Sequence, residues 1–410
     1  MPSSSAERGQ QGATTETGEV IIVGAGPVGM ITALGLARAG IGVRILEANA
    51  GIVPEPRAMT YHWTVHEGMQ RLGLLDDMIA EGFKLHQMCY RILATGEVIR
   101  LDIGAMEGHT AHPYAVVLGQ DQLEAIVLRH LARMPNVRID WNTTVTGLAQ
   151  DADGVTVEAE HEGVAVRRRA HWVVGADGGR SRVRKSIGVR FEGMTWPQRF
   201  VATNVVCDLE AHGWDPCNHL VDPADGAVIA KVTRSGIWRV TFSEDATLPL
   251  DGVVERIHAY YARVLPAGMP YELVLHSAYN MHQRVADRLR VGRVLLAGDA
   301  AHVTNPTNGF GLVSGILDSQ VLSGALAAVL QGRAPDTVLD RYAEDRKRVF
   351  EEVASPSSVE TKRLVFHSDD PGRLERDLQR LRAVAVDAAL SRRQFMIGHR
   401  LQTPSLVAAA

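Results

Sequence analysis

Cysteine is scarce in this chain. Three residues in 410, Cys89, Cys207 and Cys217, are too few and too irregularly spaced for a disulfide framework. That favours a reducing compartment, and the expected location is the cytoplasm. An excess of one charge is lacking as well. A formal net charge of −4 gives no electrostatic reason to expect nucleic acid or a membrane surface as a partner. No apolar run is expected to reach the length that spans a bilayer. Residues 1–18 are rich in Ser, Thr, Gly, Glu and Gln, lack the apolar centre of a signal peptide, and read as a disordered leader. Ser391-Arg392-Arg393-Gln394-Phe395-Met396 looks like a twin-arginine export signal, but near the C-terminus such a signal cannot act. Repeats and low-complexity tracts are missing beyond the leader.

What is present is an ordinary globular composition, 46% hydrophobic, in a chain long enough for two or three domains. Residues 20–23 form a short apolar strand, followed by Gly24-Ala25-Gly26-Pro27-Val28-Gly29 and a helix to about Ala39. Gly40 stops that helix, and 43–46 read as a second strand ending on Glu47. Amphipathic helices are expected at 64–82 and 120–134. From about 190 to 290 the texture turns β-rich, with strands at 200–208, 227–233, 237–242 and 272–279. A strand at 294–297 returns the chain to the first domain, and a helical tail follows, interrupted near 355–358.

A diphosphate needs backbone N–H groups and a helix N-terminus at close range, which side chains obstruct. Gly24 allows the tight turn, Gly26 lets the phosphates approach, and Gly29 lets the helix lie on the strand. Glu47 ends the second strand, where a carboxylate accepts from ribose hydroxyls. The turn alone does not choose between NAD and FAD. Two further fragments bear on that choice: Gly175-Ala176-Asp177-Gly178, and Gly298-Asp299-Ala300-Ala301-His302 followed by Asn305-Pro306-Thr307-Asn308-Gly309-Phe310-Gly311-Leu312. A carboxylate at Asp299 can hold a polyol hydroxyl. A helix N-terminus at Gly311 and Leu312 can stabilise negative charge on a reduced flavin.

In this order and spacing the three fragments resemble the single-component (class A) FAD-dependent aromatic hydroxylases, the para-hydroxybenzoate hydroxylase-like family, over roughly residues 19–355. The resemblance implies an α/β protein: a Rossmann-like FAD-binding domain with an inserted β-sheet substrate domain and a helical C-terminus. Its boundaries would be 19–85 with 111–190 and 291–355 for the FAD domain, 86–110 with 191–290 for the β domain, and 356–410 for the helical segment. It further implies that Gly24, Gly26, Gly29 and Glu47 hold the ADP half of tightly but non-covalently bound FAD. Arg57 would lie near the ribose and pyrophosphate, and Gln120 at the flavin. Asp177 and Gly178 would serve FAD and NAD(P)H, with Arg184 closing that segment. Asp299 would contact the ribitol, and Pro306, Gly309, Gly311 and Leu312 would line the isoalloxazine, with Pro306 at the reaction site. Here Asn305-Pro306 replaces the usual Pro-Pro, Asn308-Gly309 the usual Gly-Gly, and Val313 an Asn. Asn308 can adopt a left-handed backbone at modest cost, so the loop is expected to survive the change.

The implied reaction uses NAD(P)H as a transient co-substrate and O₂. A flavin C4a-hydroperoxide hydroxylates a small phenolic or N-heteroaromatic ring, in a monomer or homodimer. Apart from the first turn there is no other GxGxxG, which argues against a dedicated NAD(P)H domain. Hydroxylation needs a base near the ring. Tyr61, His62, His66, His219, Lys231 and Arg239 are the candidates, Lys231 and Arg239 alternatively orienting an acidic group. No metal is expected. His62 and His66 stand at i, i+4 without the glutamate of a zinc helix, Cys207, His212, Cys217 and His219 match no common zinc spacing, and His302 reads as structural. Two alternatives remain open: an epoxidase or hydroxylase of a polycyclic biosynthetic intermediate on the same fold, and a non-catalytic flavoprotein that sequesters a small aromatic molecule.

Overall fold

The computed structural model describes residues 17–54 and 57–407. Most of the leader therefore lies outside the described residues, but its last two residues do not follow expectation. The first strand begins at Thr17, because Thr17 and Gly18 pair with Arg169 and Ala170 of the neighbouring strand. Backbone pairing extends the strand where no apolar pattern marks it.

The nucleotide-binding half is a sheet whose parallel centre runs in the spatial order Val294–Leu296, Val164–Gly175, Thr17–Val23, Val43–Leu46, Val137–Asp140. The order reverses between Thr17–Val23 and Val164–Gly175. In open α/β sheets ligands bind outside the carboxyl ends of the strands at such a switch point. The glycine-turn helix Pro27–Arg38 and the long helix Phe310–Leu330 cover one face, burying Met30, Ile31, Leu34, Ile316 and Leu317. An antiparallel extension, Thr143–Gln150 with Val155–His161, hangs from Val164–Gly175.

The second sheet is almost wholly antiparallel. Its spatial order is His302–Val303, Glu272–Ala286, Phe191–Val206, Ile237–Asp245, Ala227–Lys231, Cys217–Val221, Gln87–Ile92, Val98–Asp102, with one parallel pair between Cys217–Val221 and Gln87–Ile92. Side chains alternate across it. Trp238, Val240, Val205 and Leu220 turn to the helix Val253–Val264 and form a separate core with Ile257 and Tyr261. Arg239 pairs with Asn204 and with Ala230, and the row they share with Cys217 faces the nucleotide half.

Three local expectations change. The helix expected at 64–82 is two, Trp63–Arg71 and Leu75–Glu81, because Gly73 takes φ +59 and ends the first. The tail is not interrupted near 355–358. Val338–Val349 continues through a wide-turned stretch, Phe350–Ala354, into Ser355–Phe366, and the widened turn falls just ahead of Pro356, which has no N–H to give to a regular helix. Phe310–Leu330 is, by length and composition alone, apolar enough to cross a membrane, contrary to the expectation that no run would be. Yet 72% of its most apolar stretch is buried inside the protein, and Asp318 sits at its centre.

Trp238 is 1% exposed and anchors the core of the second sheet. Trp238→Ala should destabilise the protein by about 3–5 kcal/mol, read as a lower midpoint in chemical denaturation.

Candidate active site

The three fragments meet at the switch point. Gly24 donates its N–H to Leu46 O at 2.9 Å, and Ala176 donates to Val23 O at 2.8 Å. Gly24 has φ +104, and a Cβ there would lie 2.4 Å from the Ala176 carbonyl oxygen. A Cβ on Gly29 would lie 2.0 Å from Gly24 O. Both positions are closed by protein. Gly26 and Gly178 differ: a Cβ at either meets nothing within 4 Å. They face open space beside the N-terminus of Pro27–Arg38, where a diphosphate would be received. Glu47 is already oriented, its Oε2 accepting the Ala25 N–H at 2.7 Å and its Oε1 the Asn49 N–H at 2.9 Å.

Asp299 lies at the foot of the third fragment. Its side chain is open to solvent although protein surrounds it deeply, and burial pushes its carboxyl up against the opposing pull of His302 and Arg57. An accessible acid at the floor of a deep slot suits a polyol. Pro306 is exposed at the start of the short turn Pro306–Asn308, and Gly309, with φ +68, begins the helix Phe310–Leu330 that carries Gly311 and Leu312 in its first turn. The left-handed residue is Gly309, which takes that conformation without cost, so Asn308 does not need to. The open cradle, the acid and the free helix N-termini fit FAD.

Asp177 is used differently from expectation. Its oxygens accept from Ser181 Oγ at 2.5 Å, Arg182 N at 2.6 Å and Val183 N at 3.0 Å, so the carboxylate holds its own turn and leaves Gly178 to face the slot. Arg184 ties that turn to the third fragment, donating to Gly179 O and Ala300 O, each at 2.8 Å. Arg57 is exposed on the loop after Glu47. Gln120 opens Gln120–Leu131 and donates to Glu124 at 3.0 Å. Burial raises the Glu124 carboxyl to about 7 despite that bond and the nearby Arg57.

Among the proposed bases, geometry separates the candidates. Lys231 is opposite Trp238 in the register, on the far face of the sheet, and pairs with Glu210 at 2.5 Å. It does not reach the cleft. His66 is fully buried, bonded to Tyr61 O at 3.1 Å and packed among His112 and Tyr114. Tyr61 is fully buried too, its hydroxyl unpartnered, and burial with Glu124 nearby raises its pKa far out of range for a base. His62 stands edge-on to Phe310 at 5.1 Å. Burial pulls its imidazole down to about 4, although the Asn308 carbonyl opposes the shift. His219, 2% exposed, is stacked on Tyr90 at 5.1 Å, its Nε2 3.1 Å from Thr307 O. Burial lowers its pKa as well. A carbonyl only accepts, so Nε2 carries the proton and Nδ1, which has no partner, is a bare acceptor. Arg239 is 5% exposed and donates through Nε and Nη2 to Asn204 Oδ1 at 3.0 and 2.9 Å, and through Nη1 to Arg57 O. No carboxylate pairs with it among the described residues, and burial draws its guanidinium down to about 10.

The sequence-expected histidines and cysteines do not converge. Among the described residues no three His, Cys, Asp or Glu side chains lie close enough to hold a metal ion. What sequence reading missed is the centre of Phe310–Leu330. Asp318, fully buried, accepts the Gly298 N–H at 2.9 Å, and its carboxylate lies 2.8 Å from His302 Nε2 and 2.7 Å from Arg346 Nε. Burial alone would raise this acid, but His302 and Arg346 outweigh it and hold it below the usual carboxylate range. The available signal was one acid in an otherwise uncharged apolar helix. A groove of about 550 Å³ lies elsewhere, along Trp172, Arg290, Arg293 and Asp336. Asp336 and Asp340 already neutralise Arg290 there.

Fold and site together define a FAD-dependent flavoprotein. Residues 17–357 match the FAD binding domain family, and the chain belongs to that family. It is 41% identical over 370 residues to the 6-hydroxy-3-succinoylpyridine 3-monooxygenase of Pseudomonas putida, covering 90% of this chain and 94% of that one. It is 40% identical over 383 residues to the para-nitrophenol 4-monooxygenase of a Pseudomonas species, covering 92% and 94%. A crystal structure of p-nitrophenol 4-monooxygenase from Pseudomonas putida superimposes with a TM-score of 0.91 at 38% identity, over 94% of this chain and 98% of that one. This chain is an FAD-dependent monooxygenase that hydroxylates an aromatic substrate.

The contrast between the glycines gives a direct test of where the cofactor sits. Gly26→Ala should purify with a small fraction of the flavin absorbance, because its Cβ enters cofactor space, yet unfold at the temperature of deflavinated wild type. Gly29→Ala should lose flavin and thermal stability together, because its Cβ meets Gly24 O.

Proposed function

We propose that this enzyme oxidises a single-ring phenol or hydroxypyridine at the carbon para to the hydroxyl, and that His219 takes the hydroxyl proton. The names of both relatives put the new oxygen on the ring carbon across from the hydroxyl, the carbon that carries the substituent. Ionising the hydroxyl enriches that carbon in electrons, so a base at one end of the ring and an oxygen donor at the other is the arrangement required. Bound FAD, reduced by NADH or NADPH, supplies the activated oxygen. The chain's own residues do the rest.

In this reading FAD extends along the strand ends, its ADP half at Gly24, Gly26, Gly29 and Glu47, with Arg57 near the pyrophosphate. Its ribitol lies at Asp299, and its ring against Pro306, Gly309, Gly311 and Leu312, with Gln120 nearby. Gly178 borders the slot that FAD and the nicotinamide would share. The substrate ring lies between this loop and the cleft face of the second sheet. Met59, Ala230 and Val232, all buried in one apolar cluster, exclude water beside it. Arg239, a buried cation with only neutral partners, orients an electron-withdrawing or anionic substituent. The observation that carries the reading is His219. The carbonyl of Thr307, in the loop assigned to the flavin, fixes its tautomer and leaves Nδ1 as a neutral base. Three buried, unpaired cysteines support work in a reducing cytoplasm, as a monomer or homodimer.

Because burial keeps His219 neutral below its ordinary pKa, the wild type should hold its kcat/KM at pH values where the free substrate is still protonated. His219→Gln should lower kcat by about 10²-fold or more, and the remaining rate should rise with pH in step with the phenolate fraction of the substrate. An unchanged pH profile would remove His219 from the chemistry. The assay is NADH and NADPH oxidation, with product mass, on para-substituted phenols and hydroxypyridines. If none of these stimulates oxidation in a flavin-loaded protein, the single-ring reading fails. Arg239→Met should raise KM at least tenfold for acidic substrates, while Lys231→Met, on the far face, should leave both constants unchanged.

A further inference from the structure

We propose that Asp318 is a positioning residue for the flavin, and that through Arg346 it makes the C-terminal turn part of the frame that holds the cofactor. The inference rests on the placement of the ribitol at Asp299 given above.

Asp318 is the one charged residue of Phe310–Leu330. It is 0% exposed, Arg346 and His302 are each 1% exposed, and His302 is stacked on Phe350 at 4.4 Å. A buried ion pair costs desolvation that an apolar pair of the same size does not, so packing alone does not account for it. Its geometry does. One carboxylate oxygen accepts the Gly298 N–H and faces His302 Nε2, gripping the fragment on both sides of Asp299. Gly298 has φ +58, and the next residue on its chain is the acid that projects into the slot. The next residue of the same helix, Ser319, donates through Oγ to Val28 O at 3.0 Å, so the helix also grips the first turn of Pro27–Arg38.

The other carboxylate oxygen receives Arg346 Nε at 2.7 Å. Arg346 spends its remaining donors on Leu401 O at 2.7 Å and Ser314 O at 3.2 Å. Leu401 closes the short turn His399–Leu401. The next residue, Gln402, donates to Thr64 O at 2.8 Å, in the first turn of Trp63–Arg71, which His62 precedes. The C-terminal turn therefore touches both walls of the flavin loop, one through Arg346 and Asp318, the other through Thr64. With the planar fork of arginine one residue reaches Asp318 and Leu401 together; a lysine ammonium in its place reaches only one.

The test uses deflavinated full-length protein titrated separately with FAD and with ADP. ADP reports only the end of the site held by the glycine turn and Glu47. Asp318→Asn should raise the FAD dissociation constant at least tenfold and leave that of ADP within twofold. Arg346→Lys, which keeps the charge in the core and gives up the link to Leu401, should show a smaller loss of the same kind. A loss of FAD and ADP affinity in parallel would reduce Asp318 to general support of the fold and overturn the proposal. Wild-type FAD binding in Arg346→Lys would remove the C-terminal turn from the frame. Glu47→Gln is the control for the underlying placement: if it fails to weaken ADP, the cofactor's orientation is wrong, whatever Asp318 does.

Discussion

Everything in this protein is arranged around a close approach of backbones where the parallel strand order reverses. The turn after Thr17–Val23 and the turn after Val164–Gly175 come so near that no side chain fits between Gly24 and Ala176 O. That proximity brings two sets of N–H groups and a helix N-terminus to one place. It also forces the third strand, Val294–Leu296, to deliver its turn beside them, since it pairs with Val164–Gly175. Arg184 then locks the second turn to the third through two carbonyls. A cofactor as long as FAD needs donors and acceptors spread along a line, and the ends of three neighbouring parallel strands supply one.

How much of this the sequence disclosed depends on the kind of interaction. Glycines forced by close approach are legible because no other residue is tolerated: Gly24 and Gly29 stand in the roles their spacing suggested. Apolar periodicity located the glycine-turn helix and four strands of the second sheet, and passed over Gln87–Ile92, Val98–Asp102, Cys217–Val221 and the two-residue His302–Val303. It missed the extension of Phe191–Val206 upstream of 200, because residues 191–198 are largely exposed and carry no alternating apolar pattern, although they pair with the neighbouring strand. It also ran two helices together across Gly73, since both carry their apolar residues in compatible phase. Asp177 illustrates a different limit. Its type and position were informative, but whether a carboxylate points at a ligand or at its own turn is decided by three hydrogen bonds that no pattern encodes.

The choice between Lys231 and Arg239 shows what a register decides. In sequence they are equivalent cations on neighbouring strands of the same sheet. The period of two, combined with the pairings of Lys231 with Trp238 and Ala230 with Arg239, sends one to the helix side and the other to the cleft. The outward cation finds Glu210 and is neutralised. The inward one finds an amide oxygen and a carbonyl, which satisfy its donors without cancelling its charge.

That uncancelled charge stands among groups that burial keeps neutral. A buried guanidinium without an acid is costly unless something anionic joins it. His219 and His62, both drawn below their ordinary pKa by burial, add no positive charge of their own near neutral pH. The cleft thus presents one cation and neutral acceptors, a setting in which a phenolate is stabilised and a phenol readily gives up its proton. Neither imidazole has a carboxylate beside it as His302 has Asp318. The buried acid Asp318 instead lies behind the turn of the third fragment, 2.7 Å from Arg346 Nε and 2.8 Å from His302 Nε2.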